Sequence, residues 1–209
     1  MAIGRFITIE GTEGAGKSTA VATVAAWAEQ HAGSVITTRE PGGTRLGEEL
    51  REMLLRRREA GMAAETEVLL MFAARAEHLE RVIRPALAGG QWVVCDRFTD
   101  ASVAYQGYGR RLGADRVEAL AQWLHADITP DLTLWLDVPV ELGLQRAAGR
   151  SAPDRFEAEK ARFFEAVREG YADLARRHPG RVHRIDATPE LAEVTHTLQR
   201  TLETAFHGG

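Results

Sequence analysis

Cysteine is nearly absent from this chain. Among its 209 residues only Cys95 occurs, inside the apolar run Trp92-Val93-Val94-Cys95. One thiol cannot form an internal disulfide, so a disulfide-stapled secreted scaffold is excluded, and a buried structural thiol in a reducing cytosol is expected. Long apolar runs are missing too. No stretch is long enough to span a membrane, and the start shows no signal-like apolar core, so the expectation is a cytoplasmic protein without a membrane partner. Excess positive charge is also lacking. The formal net charge is −4, which argues against general nucleic-acid binding. There are no internal repeats and no low-complexity tract. No serine, histidine and carboxylate arrangement stands out as a nucleophile system.

What is present is enough apolar residue, 44%, for one sizeable core, and the length fits one domain over residues 1–209. Its most informative stretch is Gly11-Thr12-Glu13-Gly14-Ala15-Gly16-Lys17-Ser18. It fits G-x-x-x-x-G-K-[ST], follows the strand-like run Phe6-Ile7-Thr8-Ile9, and precedes an Ala-rich helical stretch, Thr19 to Gln30. A chance glycine-rich turn is the bland alternative. The flanking strand and helix favour a phosphate-binding loop, whose backbone N–H groups and helix N-terminus cradle anions. Lys17 then reaches the terminal phosphates and Ser18 can ligate Mg²⁺. Gly11 through Thr19 form the expected nucleoside-triphosphate-binding segment.

Further strands are expected at 35–38, 92–95, 132–136 and 182–185. Helices are expected at 46–55, 66–87 (capped at or near Thr66), 117–125, 140–148, 156–177 and 191–206. The polar, glycine-rich segment 99–113 offers no helical pattern. The charge run Arg56-Arg57-Arg58-Glu59 reads as a solvated helix end. The apolar band of 66–87 is wider than one solvent-facing helix needs, so part of it faces a ligand or a partner unless packing accounts for all of it. Alternating strands and helices predict a three-layer α/β fold, a mostly parallel sheet of about five strands covered on both faces. Ligands gather at the carboxyl ends of such strands, where Gly11, Glu40, Asp96 and Asp137 all fall.

A carboxylate is needed to help hold magnesium. Asp96 is preferred and Asp137 is the competitor, its alternative role being to cap the helix that Pro139 helps begin. Arg97, Arg39 and Arg51 are candidates to grip an anionic acceptor through paired hydrogen bonds. An anionic acceptor favours transfer that depends on positioning and charge neutralisation rather than on a strong base. The segment around 149–158, with Arg150 and Arg155 and with Arg146 before it, reads as a lid or, more plainly, as a solvated basic loop.

Several segments occur in an order that resembles bacterial thymidylate kinases. They are Glu10 through Thr19, Thr38-Arg39-Glu40-Pro41-Gly42-Gly43, Leu70-Met71-Phe72-Ala73-Ala74-Arg75, Asp96-Arg97-Phe98, Ala104-Tyr105-Gln106-Gly107, Pro130-Asp131-Leu132-Thr133 and Asp154-Arg155-Phe156-Glu157. The resemblance spans nearly the whole chain. It implies a P-loop kinase fold, ATP and Mg²⁺, thymidine monophosphate as acceptor, and a homodimer. It implies that Arg97 and Arg51 hold the acceptor phosphate and that Glu13 approaches the sugar 3′-hydroxyl. It also implies that Arg75 donates to a thymine carbonyl, that Gln106 and Ser102 meet the base edge, and that Tyr105 crowds the 2′ position. Similar proteins often place an aromatic four residues before the base-reading arginine. Here Met71 holds that position and Phe72 follows, so either could cover the base. Some members carry an arginine directly after the acidic loop residue. Here Gly14 stands there, which leaves the lid, Arg150 or else Arg155, as the source of a catalytic cation.

Overall fold

The structure, a computed structural model, describes residues 4–56, 58–59, 61–148 and 161–207. Five strands, β1 (Phe6–Glu10), β2 (Val35–Arg39), β3 (Trp92–Asp96), β4 (Leu132–Asp137) and β5 (Val182–Asp186), form one sheet. Every pairing is parallel, in the order β2-β3-β1-β4-β5. The chain leaves central β1 for the edge, returns to β3, then crosses over to β4 and β5. β1 is thus where the order reverses, and the loop after it opens at the crevice such sheets reserve for ligands.

All five residues of β1 and all six of β4 are buried, as parallel strands covered on both faces require. The buried hydroxyls of Thr8 and Thr133 satisfy one another at 2.8 Å. One sheet face carries Ile7, Ile9, Val94, Leu134 and Leu136. They pack on Val24 and Trp27 of α1 (Lys17–Ala32) and on Leu198 and Leu202 of α9 (Leu191–His207). Trp135 and Val182 meet the other layer, which contains α3 (Ala64–His78), α6 (Ala114–His125) and α8 (Ala161–Arg177). Cys95 is fully buried at 0% exposure, and burial pushes its thiol pKa up.

Local signals set the helix ends. Gly33 closes α1 at φ 75°, donating its N–H to Glu29 O, the usual left-handed terminus. Thr44 caps α2 (Arg45–Leu55) through Gly47 N–H at 2.9 Å. Two sequence expectations need correction. Thr66 does not cap α3. The helix starts two residues earlier, Ala63 stands at the cap with no side-chain hydrogen bond, and Glu65 and Glu67 in the first turn complement the helix dipole instead. The helix also changes pitch in its second half. A five-residue π turn, Leu79–Ile83, links α3 to α4 (Arg84–Ala88). Pro85 cannot donate to the residue four before it, and a widened turn absorbs the misfit.

Residues 99–113 are not an irregular loop either. They form α5 (Thr99–Ser102) and a second π turn, Val103–Gly109. Their glycines serve close approach rather than flexibility. A Cβ on Gly109 would sit 2.6 Å from the Phe163 ring, and one on Gly170 would sit 2.9 Å from Ala104 Cα. Helix α7 (Val140–Ala148) precedes the segment expected as a lid. Arg150, Arg155 and the whole of 149–158 lie outside the described residues.

Candidate active site

The loop after β1 turns where only glycine fits. Gly11 adopts φ 140°, and a Cβ there would meet Leu136 O at 2.6 Å. Gly14, at φ 74°, packs so closely on the Gly143 backbone that a Cβ would collide with its carbonyl oxygen. This loop therefore has no room for an arginine after Glu13. Gly16 turns the chain into α1 at φ 89°, so Lys17 and Ser18 open the first helical turn, where backbone N–H groups lack intrahelical partners. Lys17 Nζ bonds the Thr12 carbonyl at 3.1 Å. Burial first, and Arg97 second, bring its pKa down to about 8, while Asp96, Glu13 and Glu10 oppose the shift. An anionic ligand would restore its charge.

Two clefts flank this loop. One is lined by Gly14, Ala15, Gly16 and Thr19 on the loop side and by Ala187, Pro189 and Glu190 opposite. Arg146 crosses it, donating to the Ala187 carbonyl at 2.8 Å and the Thr188 carbonyl at 3.2 Å. Arg146, grouped by sequence with the lid arginines, is thus tied to the loop after β5. The second cleft lies beyond the ends of β1, β2 and β3. Its walls include Glu13, Glu40, Arg51, Met71, Arg75, Arg97, Ser102, Tyr105 and Gln106. Residues scattered over more than ninety positions thus meet in one cavity.

Its inner end is cationic. Arg97 has a left-handed backbone, φ 70°, uncommon for a side chain of this size and costly by roughly 1–3 kcal/mol. Two flanking contacts hold it there: Arg97 N–H bonds Ile9 O at 3.0 Å, and Phe98 N–H bonds Glu10 Oε1 at 2.8 Å. The guanidinium donates to Glu13 at 3.2 Å and to the Tyr105 hydroxyl at 3.0 Å, and that hydroxyl also bonds Glu13. Arg51 anchors to Pro41 O at 3.0 Å. Burial, and then repulsion from Arg39 and Arg97, lower its pKa, against the pull of Glu48 and Asp96. Such crowding of cations favours a bound anion.

The outer end is a hydrogen-bonding surface with two open valences. Arg75 is buried, 2% exposed. It donates to Glu40 at 2.7 Å, to Phe98 O at 3.0 Å and to Ser102 Oγ at 2.9 Å. His78 braces Glu40 from behind at 3.0 Å and meets Thr38 Oγ1 at 2.7 Å on its other nitrogen. Burial alone would raise the Glu40 pKa, but Arg75 and His78 outweigh it and hold it low. Despite these bonds, Arg75 Nη1 has no partner. Gln106 Oε1 has none either, although both atoms are buried. A buried donor and a buried acceptor left open on one cavity mark a ligand's place. Met71 lines that cavity. Phe72 instead packs in the core, its ring 4.6 Å from the Arg75 guanidinium.

The two magnesium candidates separate clearly. Asp96 shares a cleft wall with Ser18, and its Oδ1 lacks a hydrogen-bond partner. Asp137 is committed elsewhere: Arg168 grips both oxygens at 2.6 and 3.0 Å, and Arg184 adds a bond at 2.7 Å. The competitor is therefore a clamp between β4, β5 and α8. Sequence reasoning missed Glu10, His78 and Glu67. Glu10 only opens a segment quoted for the resemblance, His78 and Glu67 belong to none, and only long-range contacts give the three their roles.

Comparison with known proteins identifies the family. The family model described as thymidylate kinase matches residues 9–198. The thymidylate kinase of Alkalilimnicola ehrlichii is 59% identical over 98% of this chain and 95% of its own length. That of Teredinibacter turnerae is 54% identical over 96% and 98%. A crystal structure of thymidylate kinase from Ehrlichia chaffeensis superposes with a TM-score of 0.77 at 31% identity, covering 96% of this chain and 99% of that one. With a glycine-rich loop at the sheet's switch point, a cationic cavity beside it and matches over nearly its whole length, this chain belongs to the thymidylate kinase family.

Proposed function

We propose that this chain carries the terminal phosphoryl group of ATP to thymidine 5′-monophosphate, with the two clefts dividing donor from acceptor. The observation that carries the reading is the pair of open valences, Arg75 Nη1 and Gln106 Oε1, in one cavity with the cations of Arg51 and Arg97. Thymine offers a carbonyl oxygen beside an N–H. An arginine donor next to an amide acceptor complements that edge, and the arginines suit the phosphate. Glu13 and Tyr105, bonded to one another, suit the sugar between them. The donor is assigned to the loop from Gly11 to Thr19 and the cleft beside it that Arg146 crosses.

Ser18 and Asp96 would hold Mg²⁺, and the Asp96 oxygen, which makes no hydrogen bond and meets only Arg97 Nη1 at 3.9 Å, fits that role. An ion held there would neutralise negative charge on the donor's phosphates. Lys17 shares that task on the protein side. Arg97 aligns the acceptor oxygen, itself anionic, so no strong base is required. The lid reading of 149–158 rests on sequence alone. Arg150, with Arg155 second, is assigned the transition-state cation, and Gly14 leaves no room for one in the loop. We also assign a homodimer. Leu46 and Met53 on α2, Leu69 on α3 and Trp123 on α6 are large, apolar and exposed, and α3 packs on both α2 and α6. No described helix is long and apolar enough to cross a membrane. The single buried thiol suits a cytoplasmic setting, which is part of the proposal.

The decisive test is ADP release from ATP and magnesium, with and without thymidine monophosphate. Stimulation by that acceptor, with its diphosphate as product, is expected. Release that ignores every nucleoside monophosphate overturns the reading.

A further inference from the structure

Gln106 faces the acceptor cavity from the π turn, but its direction is decided behind the wall. Its amide nitrogen donates to Glu67 Oε1 at 2.9 Å. Arg110 Nε donates to the same oxygen at 3.2 Å. Glu67 is fully buried, 0% exposed, and neither Glu67 nor Arg110 lines the cavity. We propose that Glu67 is a positioning residue that sets which end of the Gln106 amide meets the base, and thereby the choice between thymine and cytosine.

An oxygen that receives the Arg110 N–H presents lone pairs, so whatever else approaches it must donate. The Gln106 amide can do so in one orientation only, nitrogen toward Glu67. The opposite orientation would set two oxygens against each other and strand a buried N–H₂, with no water to relieve either. The amide oxygen is therefore what remains for the cavity, as its open valence shows. Beside it Arg75 presents a donor whose direction Glu40, Ser102 and Phe98 have already fixed. Donor then acceptor matches a 4-oxo, 3-NH pyrimidine. Cytosine would bring its exocyclic amine to the guanidinium and its N3 lone pair to the amide oxygen, a mismatch at both atoms. An amide free to turn over would repair one of the two mismatches, which Glu67 forbids.

The inference rests on reading this cavity as the thymidine monophosphate site, and the test separates the two. Wild type must first phosphorylate thymidine monophosphate. If it does not, the functional reading fails before any variant is made. Glu67→Met keeps the length and removes the acceptor. Its preference for thymidine over deoxycytidine monophosphate, as a ratio of kcat/KM, is expected to fall about tenfold or more, since a freed amide no longer penalises cytosine. Deoxyuridine monophosphate shares thymine's edge, so its ratio to thymidine monophosphate should shift less than about threefold in the same variant. General loosening of the pocket would move both ratios. Glu67→Gln, which still offers an oxygen to Arg110, should keep the wild-type preference. If Glu67→Met does not fold, Glu67→Gln with Arg110→Met replaces it: both amides keep partners, the pin is gone, and the cytosine ratio alone should fall. A wild-type preference in Glu67→Met, or in that double variant where it stands in, overturns the proposal. So does a parallel shift of both ratios.

Discussion

The proposed phosphate loop and the proposed acceptor cavity are built from different materials. The loop spans eight consecutive residues, and backbone does most of its work: glycines at positive φ, N–H groups at a helix start, one lysine and one serine. The acceptor cavity draws on the loop itself, the ends of β2 and β3, α2, α3, α5 and the π turn. It works through side chains that other buried side chains hold in place. A backbone cradle accepts any polyphosphate, whereas discriminating bases requires fixed donors and acceptors, each with its own support. Generality comes cheaply in sequence, and specificity is dispersed.

The contrast can be broken first at its two cations. Lys17→Ala should reduce turnover about 10²- to 10³-fold with every acceptor, because it removes charge from the transferring group itself. Arg97→Ala should cost about 2–5 kcal/mol in kcat/KM for thymidine monophosphate while ATP binding, followed by fluorescence or calorimetry, survives. If Arg97→Ala weakens both nucleotides equally, the two clefts are not separate sites. The lysine has a pH signature as well. With its pKa near 8 in the free protein, affinity for ATP should weaken as pH rises through 8, since binding then requires proton uptake. A titration of the dissociation constant between pH 6.5 and 9.5 measures this, and a flat profile would remove Lys17 from the phosphates.

A smaller effect is expected one layer behind the acceptor cavity. His78→Phe removes the brace on Glu40, and Arg75 loses its fixed direction. KM for thymidine monophosphate should rise on the order of tenfold while kcat and KM for ATP change little. His78→Asn, which keeps a donor toward Glu40, should recover much of the loss. Equal damage by both substitutions would mean that His78 only fills space.

The smallest catalytic effect belongs to a residue that joins the two regions. Glu10 ends β1 and accepts from Phe98 N–H, and the Tyr171 hydroxyl bonds its other oxygen at 2.8 Å. Burial, and then the charge of Asp100, raise its pKa to about 8, against the pull of Tyr171, Phe98 N–H and Arg97. The folded protein thus holds a proton that the unfolded chain releases near 4.5. This contribution to stability is complete below about pH 4.5 and is lost as pH rises through 8, on the order of a few kcal/mol in all. Glu10→Gln resembles the neutral carboxyl and offers both hydrogen bonds. It should flatten melting temperature against pH between 5 and 8 while leaving activity near wild type. A slope unchanged in that variant would assign the dependence to other groups.

The extent to which this was legible from sequence follows the same division. Residues 11–18 stand out in the sequence because the anion cradle proposed there would force glycine, lysine and serine into fixed local spacing. The five strands and most helices show because burial on both faces forces runs and periods. Residues 99–113 misled because glycine signals a loop when neighbours are unknown, whereas Gly109 and Gly170 are small so that the π turn and α8 can touch. Asp96 and Asp137 each end an apolar strand, and the sequence only ranked Asp96 first. Only the fold supplied Arg168 and Arg184 to neutralise one and left an oxygen of the other open. Likewise Met71 and Phe72 are adjacent, and the helix's rotation against the core decides which meets the cavity. The sequence by itself determined the architecture and marked the glycine-rich loop and the arginines at the strand ends as candidates, because these depend on local chemistry and periodicity. The tertiary structure decided what each buried polar group faces, because a hydrogen bond between Gln106 and Glu67, or Arg75 and Glu40, exists only once distant segments share a wall.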